Sequence, residues 1–146
     1  MKIGIVGAEG AKFTPEGEAR AKAEIRTIIS DPAVEEVCSG ECHLGGIDIW
    51  AHEIADELGK PFTSFPPAKL VWEGGYKERN LQIARWSDKV FCITIDKLPP
   101  GFKGMTFDVC YHCARREGRD PRDHVKSGGC WTALKCKEAE WIVIHN

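Results

Sequence analysis

The chain has 146 residues, of which 42% are hydrophobic and 29% charged, a composition typical of one globular domain rather than of a disordered or fibrous chain. Its formal net charge of -2 at pH 7 and its sequence pI near 6.2 argue against the broad positive field that duplex DNA binding needs. No leader-like N-terminus and no apolar run of about 20 residues are found, so we expect a cytoplasmic protein with no membrane partner.

The predicted elements alternate between strand and helix. A buried strand, KIGIVG, precedes a helix over TPEGEARAKAEIRTIIS, which Thr14 caps and Pro15 begins. The strand VEEVCSG precedes the helix GGIDIWAHEIADELG, whose apolar residues recur at helical spacing, and KPFTSFPP is a weaker strand. The helix YKERNLQIARWS, the strand KVFCITI, the helix CWTALKCKEA and the strand EWIVI complete the chain.

Strands separated by helices predict an α/β fold, a three-layer Rossmann-like open sheet of about five parallel strands with helices on both faces. We expect a single domain over residues 1–146, in which KIGIVG is central and lies beside KVFCITI. A loop insertion that contains Cys and His occupies about residues 96–129. It is far longer than the usual connection of roughly 2–6 residues between a strand and a helix.

Three glycine-containing turns are predicted at the C-terminal edge of the sheet, where helix N-termini favour anions. They are GAEGAKFT, SGECHLGGID and SGGCWT. Glycine lets the backbone approach a phosphate, although glycines also form tight turns that hold no ligand. The first turn contributes Gly7, Glu9 and Gly10 to the predicted ligand site. Glu9 either contacts a ribose hydroxyl or lies on the surface.

The segments SGECHLGGIDIWAHEIADELGKPFTSFP and YKERNLQIARWSDKVFCI resemble the Rossmann-like domain of the DNA-processing protein A family. They are also similar to small stand-alone members of the same nucleotide-binding superfamily, which includes the cytokinin-activating phosphoribohydrolases, or lysine-decarboxylase-like proteins. The resemblance implies a ligand-binding turn formed by Ser39, Gly40, Gly46 and Asp48. It implies that Arg79 and Asn80 pack on this turn or contact phosphate. It also implies a second phosphate turn, formed by Ser127, Gly128, Gly129 and Thr132.

Several of these residues have a simpler interpretation beside the functional one. Asp48 either caps its own helix or holds a ligand, and its spacing from His52 predicts a hydrogen bond between the two side chains. Arg79 either pairs with Glu78 on the helix surface or contacts an anion. The glutamate that is catalytic in the phosphoribohydrolase pattern is replaced by Lys135, so no catalytic residue is assigned.

The long loop contains the pattern Cys110-x2-Cys113-x10-His124-x5-Cys130. Three Cys and one His are the ligand types of a structural zinc site, although the spacing is not that of a standard finger. His112 and Cys136 are alternative ligands, and Cys38, Cys42 and His43 form a second small cluster. The alternative without metal is that all seven Cys are buried small hydrophobes or free thiols.

The sequence therefore predicts a protein that binds a nucleotide or a nucleotide-derived phosphorylated ligand, as a sensor, a carrier or an enzyme. One alternative is a single-stranded nucleic-acid-binding module related to DNA processing. Another is a nucleotide N-glycosidic or phosphate hydrolase that uses Glu9, Glu41 or Asp48. Zinc is the predicted structural metal, with no organic cofactor, and a homo-oligomer remains open. If Cys130 binds the metal, we expect the metal to order the phosphate turn beside it.

Overall fold

The computed structural model describes all residues from 1 to 146. Its five strands are β1 (Lys2–Gly7), β2 (Glu36–Ser39), β3 (Phe62–Ser64), β4 (Lys89–Ile95) and β5 (Ala139–Ile144). They form one parallel sheet in the order β3-β2-β1-β4-β5. The predicted α/β fold is confirmed, and β1 is central and pairs with β4 as expected.

Four α-helices connect the strands: α1 (Pro15–Ser30), α2 (Ile47–Glu57), α3 (Lys77–Trp86) and α4 (Gly128–Lys135). A short 3-10 turn at Gly10–Lys12 precedes α1, and a kinked segment at Trp72–Tyr76, in which Glu73 and Gly74 are not helical, precedes α3. Thr14 caps α1 as predicted, because its hydroxyl accepts a hydrogen bond of 2.9 Å from the Gly17 amide. None of the helices combines the length and the apolar character needed to cross a bilayer.

The boundaries of α4 differ from the prediction, which placed the helix over Cys130–Ala139. The helix begins at Gly128 because the Ser127 hydroxyl caps it by accepting a hydrogen bond from the Gly129 amide. It ends at Lys135 because Cys136 has an extended backbone, and β5 already begins at Ala139. Pairing of β5 with β4 therefore outweighs the helical tendency of the last predicted residues.

The two faces of the sheet carry separate hydrophobic cores, because successive strand residues point to opposite sides. Ile3 and Ile5 of β1 belong to a cluster of 17 buried residues that α1 and α2 cover. Val6 points the other way, into a cluster of nine buried residues beneath α3 and α4. The smaller cluster contains five cysteines: Cys38, Cys92, Cys110, Cys113 and Cys130.

The chain order reverses at β1, with β2 and β3 on one side and β4 and β5 on the other. In open α/β sheets, the ligand crevice opens at such a reversal, outside the carboxyl ends of the strands. The segment that follows β1 and the start of α4 meet at this edge. The topology thus brings two of the predicted glycine turns together.

Direct backbone contacts hold these turns in place. A Cβ atom at Gly129 would lie 2.8 Å from the Gly7 amide nitrogen and 3.0 Å from the Gly7 Cα, so a side chain there would clash. On the other side, Gly46 has a φ of +87°, and a Cβ atom there would clash with the Ala8 carbonyl oxygen. The Ile47 amide donates to that oxygen at 3.2 Å. The segment after β1 is therefore clamped between the first turns of α2 and α4.

This contact predicts a difference between two neighbouring glycines of α4. Gly129→Ala should lower the free energy of unfolding by about 1–3 kcal/mol, because the new methyl group overpacks rigid backbone. Gly128→Ala is the matched control, since no atom lies within 4 Å of a Cβ atom at that position, and its effect should stay within about 0.5 kcal/mol. Urea denaturation of both variants measures the difference, and equal effects would contradict the packing role of Gly129.

Candidate ligand cavity and metal centre

A cavity of about 710 Å³ opens where the sheet order reverses. This volume lies in the range of small-molecule and cofactor sites. Most of the predicted ligand-binding residues line it, namely Gly7, Glu9, Asp48, Arg79, Asn80, Ser127, Gly128, Gly129 and Thr132. The sequence thus identified much of the lining without knowledge of the tertiary structure.

The remaining predicted residues, Gly10, Ser39, Gly40 and Gly46, do not line the cavity but back its wall. The Ser39 hydroxyl donates a hydrogen bond of 2.6 Å to the Ile5 carbonyl and is fully buried. The Gly40 carbonyl accepts a hydrogen bond from the Arg79 guanidinium. Gly10 and Gly46 pack backbone to backbone. These residues hold the turns that carry the lining.

Asp48 and Arg79 form a buried ionic pair in the cavity wall. Each residue is only 8% exposed, and Arg79 Nη1 lies 4.0 Å from Asp48 Oδ2. Arg79 Nε also donates to Asn80 Oδ1 at 2.8 Å. Burial raises the pKa of the Asp48 carboxyl, and the positive charge of Arg79 opposes that rise. The charge of the carboxylate therefore depends on Arg79.

Three local contacts that the sequence offered around this pair do not form. Asp48 does not cap α2, whose N-cap residue is Gly46, and no side chain caps that helix. His52 does not reach Asp48: its Nδ1 contacts Glu41 Oε1, and its ring stacks on Phe62 with 4.1 Å between centroids. Arg79 turns inward instead of pairing with Glu78. Burial of the ionic pair draws Asp48 away from both predicted local contacts.

The start of α4 and two lysines form a part of the cavity suited to an anion. Ser127, Gly128, Lys12 and Lys126 all line it, and the position of a Gly128 Cβ atom is open space. Lys12 Nζ lies 3.5 Å from the Lys126 carbonyl oxygen and 3.8 Å from Glu9 Oε1. Burial lowers the pKa of Lys12. Backbone amides at a helix start and nearby ammonium groups together attract negative charge.

Aromatic side chains line another part of the cavity. The rings of Trp72 and Trp131 meet edge to face, with centroids 4.9 Å apart. Tyr76, Tyr111 and His112 lie in the same lining. Trp72 is 42% exposed and Tyr111 is 54% exposed, so ring surface is available for stacking with a heterocycle.

Several of these lining residues are not among the ligand-binding residues predicted from the sequence. Lys12 lies within the first glycine turn, Trp131 lies within the last one and Lys126 directly precedes it, so their sequence neighbourhood could have indicated them. Trp72 and Tyr76 lie far from any glycine turn and reach the cavity only through the fold. No local sequence signal distinguishes them from core aromatic residues.

The predicted metal ligands form a compact cluster. Ligand atoms of Cys110, Cys113, His124 and Cys130 all lie within 4.8 Å of one another, and all four residues are buried. Cys130 Sγ lies 3.7 Å from His124 Nε2. The other ring nitrogen of His124 contacts the Asp123 carboxylate, an arrangement that commonly orients a metal-binding His. This group could hold a metal ion.

Two thiols of the cluster favour the thiolate form that binds a cation, whereas the raised pKa values of Cys130 and His124 mean that each must release a proton when a metal ion binds. Hydrogen bonding with Cys130 lowers the pKa of Cys110 to about 3 and that of Cys113 to about 7. Hydrogen bonding with Cys110 raises the pKa of His124 to about 9. Cysteine binds metals as the thiolate, so negative charge on Cys110 and Cys113 favours a metal ion.

The alternative ligands considered from the sequence lie elsewhere. His112 lines the cavity, Cys136 Sγ lies 3.7 Å from the Ser87 carbonyl oxygen, and neither belongs to the cluster. The second group, Cys38, Cys42 and His43, is not gathered into a site: the first is buried, the second lines the cavity and the third is exposed. Sequence reasoning missed Cys92 on β4, whose Sγ lies 3.9 Å from Cys130 Sγ.

Comparisons with protein-family models, with curated proteins and with solved structures give no match for this chain. The chemical interpretation of the cavity and the metal centre therefore rests on their own geometry. Both features occupy the same edge of the sheet, and Cys130 lies within the α4 segment that lines the cavity.

The ionic pair in the cavity wall predicts a stability that depends on pH. Arg79→Met should lower the free energy of unfolding by about 3 kcal/mol at pH 8, because Asp48 is left as an uncompensated buried charge. If the pKa of a carboxyl is higher in the folded protein than in the unfolded chain, the folded state binds more protons. The free energy of unfolding therefore falls as the pH rises above the unfolded pKa, which is near 4. The loss relative to wild type should therefore be smaller at pH 5.

The double variant Arg79→Met with Asp48→Asn provides the control. It removes both charges, so it should regain part of the stability and lose the extra pH dependence. Urea denaturation at pH 5, 6.5 and 8 measures all three proteins. An Arg79→Met loss that is identical at every pH would show that Arg79 does not support the charge of Asp48.

Proposed function

We propose that the protein binds a phosphorylated nucleoside in the cavity, and that a structural zinc ion holds the loop forming part of the cavity wall. One observation carries the ligand assignment: a single cavity combines a helix start and two lysines with a group of aromatic rings. A phosphorylated nucleoside has the matching parts, since its phosphate is anionic and its base is a flat heterocycle.

The phosphate is assigned to the start of α4. Gly128 leaves open space into which an anion can approach the backbone amides, and Ser127 keeps the helix start in place. Lys12 and Lys126 add positive charge to the same lining. Phosphate at a helix N-terminus after a glycine turn is a common arrangement in parallel α/β folds.

The base and the ribose are assigned to the rest of the lining. Trp72 and Trp131 offer ring surface to a base. Asp48, Arg79 and Asn80 supply acceptors and donors suited to ribose hydroxyls. The sequence resemblance to the superfamily of DNA-processing protein A points to the same class of ligand. A net charge of -2 and a cavity of about 710 Å³ favour a mononucleotide over a nucleic-acid strand.

Zinc is the metal that we assign to the cluster of Cys110, Cys113, His124 and Cys130. Three thiolates and one imidazole are soft and borderline donors, which suit zinc, whereas magnesium and calcium prefer oxygen ligands. Four protein ligands leave no open position, so the ion is structural and not catalytic. It would connect the long loop to α4.

The nucleotide assignment predicts a thermal shift. AMP at about 100 times its dissociation constant should raise the Tm of zinc-loaded protein by about 5–10 °C, since binding only the folded state adds about 2.7 kcal/mol. Adenosine should raise it much less, because the helix start and the lysines recognise charge. Gly128→Val should abolish the AMP shift without lowering the Tm, since its side chain enters open space, and Gly128→Ala should retain part of it.

A panel of AMP, ADP, ATP, cyclic AMP and adenosine, each at low salt, makes this test complete. Absence of stabilisation by every phosphorylated member would refute nucleotide binding. Binding of a single-stranded oligonucleotide that weakens steeply with salt would instead support the nucleic-acid alternative. Release of adenine or phosphate during the incubation would identify a hydrolase, for which Glu9 and Asp48 are the carboxylates in the lining.

The metal assignment predicts about one zinc per chain by elemental analysis. Cys113→Ser should lower the zinc content and the Tm together, because removing one of four ligands weakens a site that stabilises the fold. Cys136→Ser is the matched control: this thiol lies outside the cluster, so the zinc content should not change. Protein purified without chelator and free of metal would contradict the assignment.

A further inference from the structure

The metal centre and the ligand cavity are built from the same chain segments. Tyr111 and His112 lie between the cluster residues Cys110 and Cys113, and both line the cavity. The lining residues 126–129 lie between His124 and Cys130, the other two members of the cluster. Two segments of the cavity wall are thus flanked along the chain, on both sides, by residues of the metal cluster.

Apart from the burial of its two cysteines in the smaller core, few contacts attach the Cys110–Cys113 turn to the sheet. Residues 96–127 contain no helix or strand. The turn is closed by a hydrogen bond of 3.0 Å from the Cys113 amide to the Cys110 carbonyl, and the Cys110 amide donates to Pro121 of the same loop at 2.9 Å. The loop is attached to the sheet by other residues, such as Val125, whose amide donates to Ile95 at 2.8 Å.

The turn also affects the anion-binding part of the cavity. Lys126 Nζ lies 5.3 Å from the centroid of the Tyr111 ring and 5.2 Å from that of Phe107. A cation over an aromatic face is held by the ring quadrupole. The position of the Lys126 ammonium group therefore depends on the position of Tyr111, and through it on the turn.

We propose that the metal ion positions Tyr111 and His112 as ligand-binding residues, so that bound metal strengthens nucleotide binding. This inference rests on the proposed nucleotide binding. Without the ion, the long loop gains conformational freedom, and a ligand would have to order it again at a cost in affinity. Linkage also requires that the nucleotide raise the affinity for the metal by the same factor.

Isothermal titration with AMP tests this inference on four proteins: zinc-loaded wild type, zinc-stripped wild type, zinc-loaded His112→Ala and zinc-loaded His43→Ala. We expect the AMP dissociation constant to rise about tenfold or more on stripping and in His112→Ala, whose zinc content should be unchanged. His43 is exposed and does not line the cavity, so His43→Ala should stay within about twofold of wild type. AMP should also slow the transfer of zinc to a chromogenic chelator.

The other outcomes overturn either the inference alone or the inference together with the proposed function. Equal AMP affinity in stripped and loaded wild type would overturn the inference and leave the proposed function intact. If stripping unfolds the protein by circular dichroism, His112→Ala decides alone, and wild-type AMP affinity in that variant overturns the inference. No AMP binding by zinc-loaded wild type, with no response to the rest of the nucleotide panel, overturns the proposed function and this inference together.

Discussion

The backbone contact between Gly7 and Gly129 sets the geometry of the whole candidate site. Because no side chain separates the two residues, the first turn of α4 lies directly against the end of β1. Gly46 brings the first turn of α2 to Ala8 in the same way. Without these approaches, the two helix starts would be held away from the segment after β1, and the cavity would lose its shared wall. The candidate site is therefore a consequence of glycine packing as much as of glycine flexibility.

The sequence predicts the fold well because the fold depends on local patterns. Short apolar strands alternate with amphipathic helices, and this alternation permits few arrangements other than a parallel sheet. The lining was predicted less completely, since a glycine that contacts ligand and a glycine that packs on backbone look alike in a sequence. Gly128 faces open space while its neighbour Gly129 is packed, and only the direction of the missing Cβ atom distinguishes them.

The errors around Asp48 have a tertiary cause. Spacing along α2 correctly places Asp48 and His52 on neighbouring positions, but it carries no information about Arg79, which comes from α3. A buried guanidinium needs a buried anion, and this requirement outweighs the small gain of a surface hydrogen bond. His52 remains at the helix surface with Glu41 and Phe62. The spacing of residues along one helix therefore predicts side-chain contacts poorly when a buried charge from another helix lies beside one of them.

The candidate metal cluster lies on the side of the sheet that has the smaller core. The face of the sheet beneath α3 and α4 has nine residues in its buried cluster, compared with 17 on the opposite face. Cys110, Cys113 and Cys130 belong to this smaller cluster, so the thiols that could hold a metal ion also fill the core. A bound cation would replace the His124 proton as the counter-charge of the buried thiolates and would connect the loop to α4. If this cluster holds a metal ion, one interaction would support both the fold and the cavity wall, because the cluster lies directly beside the cavity.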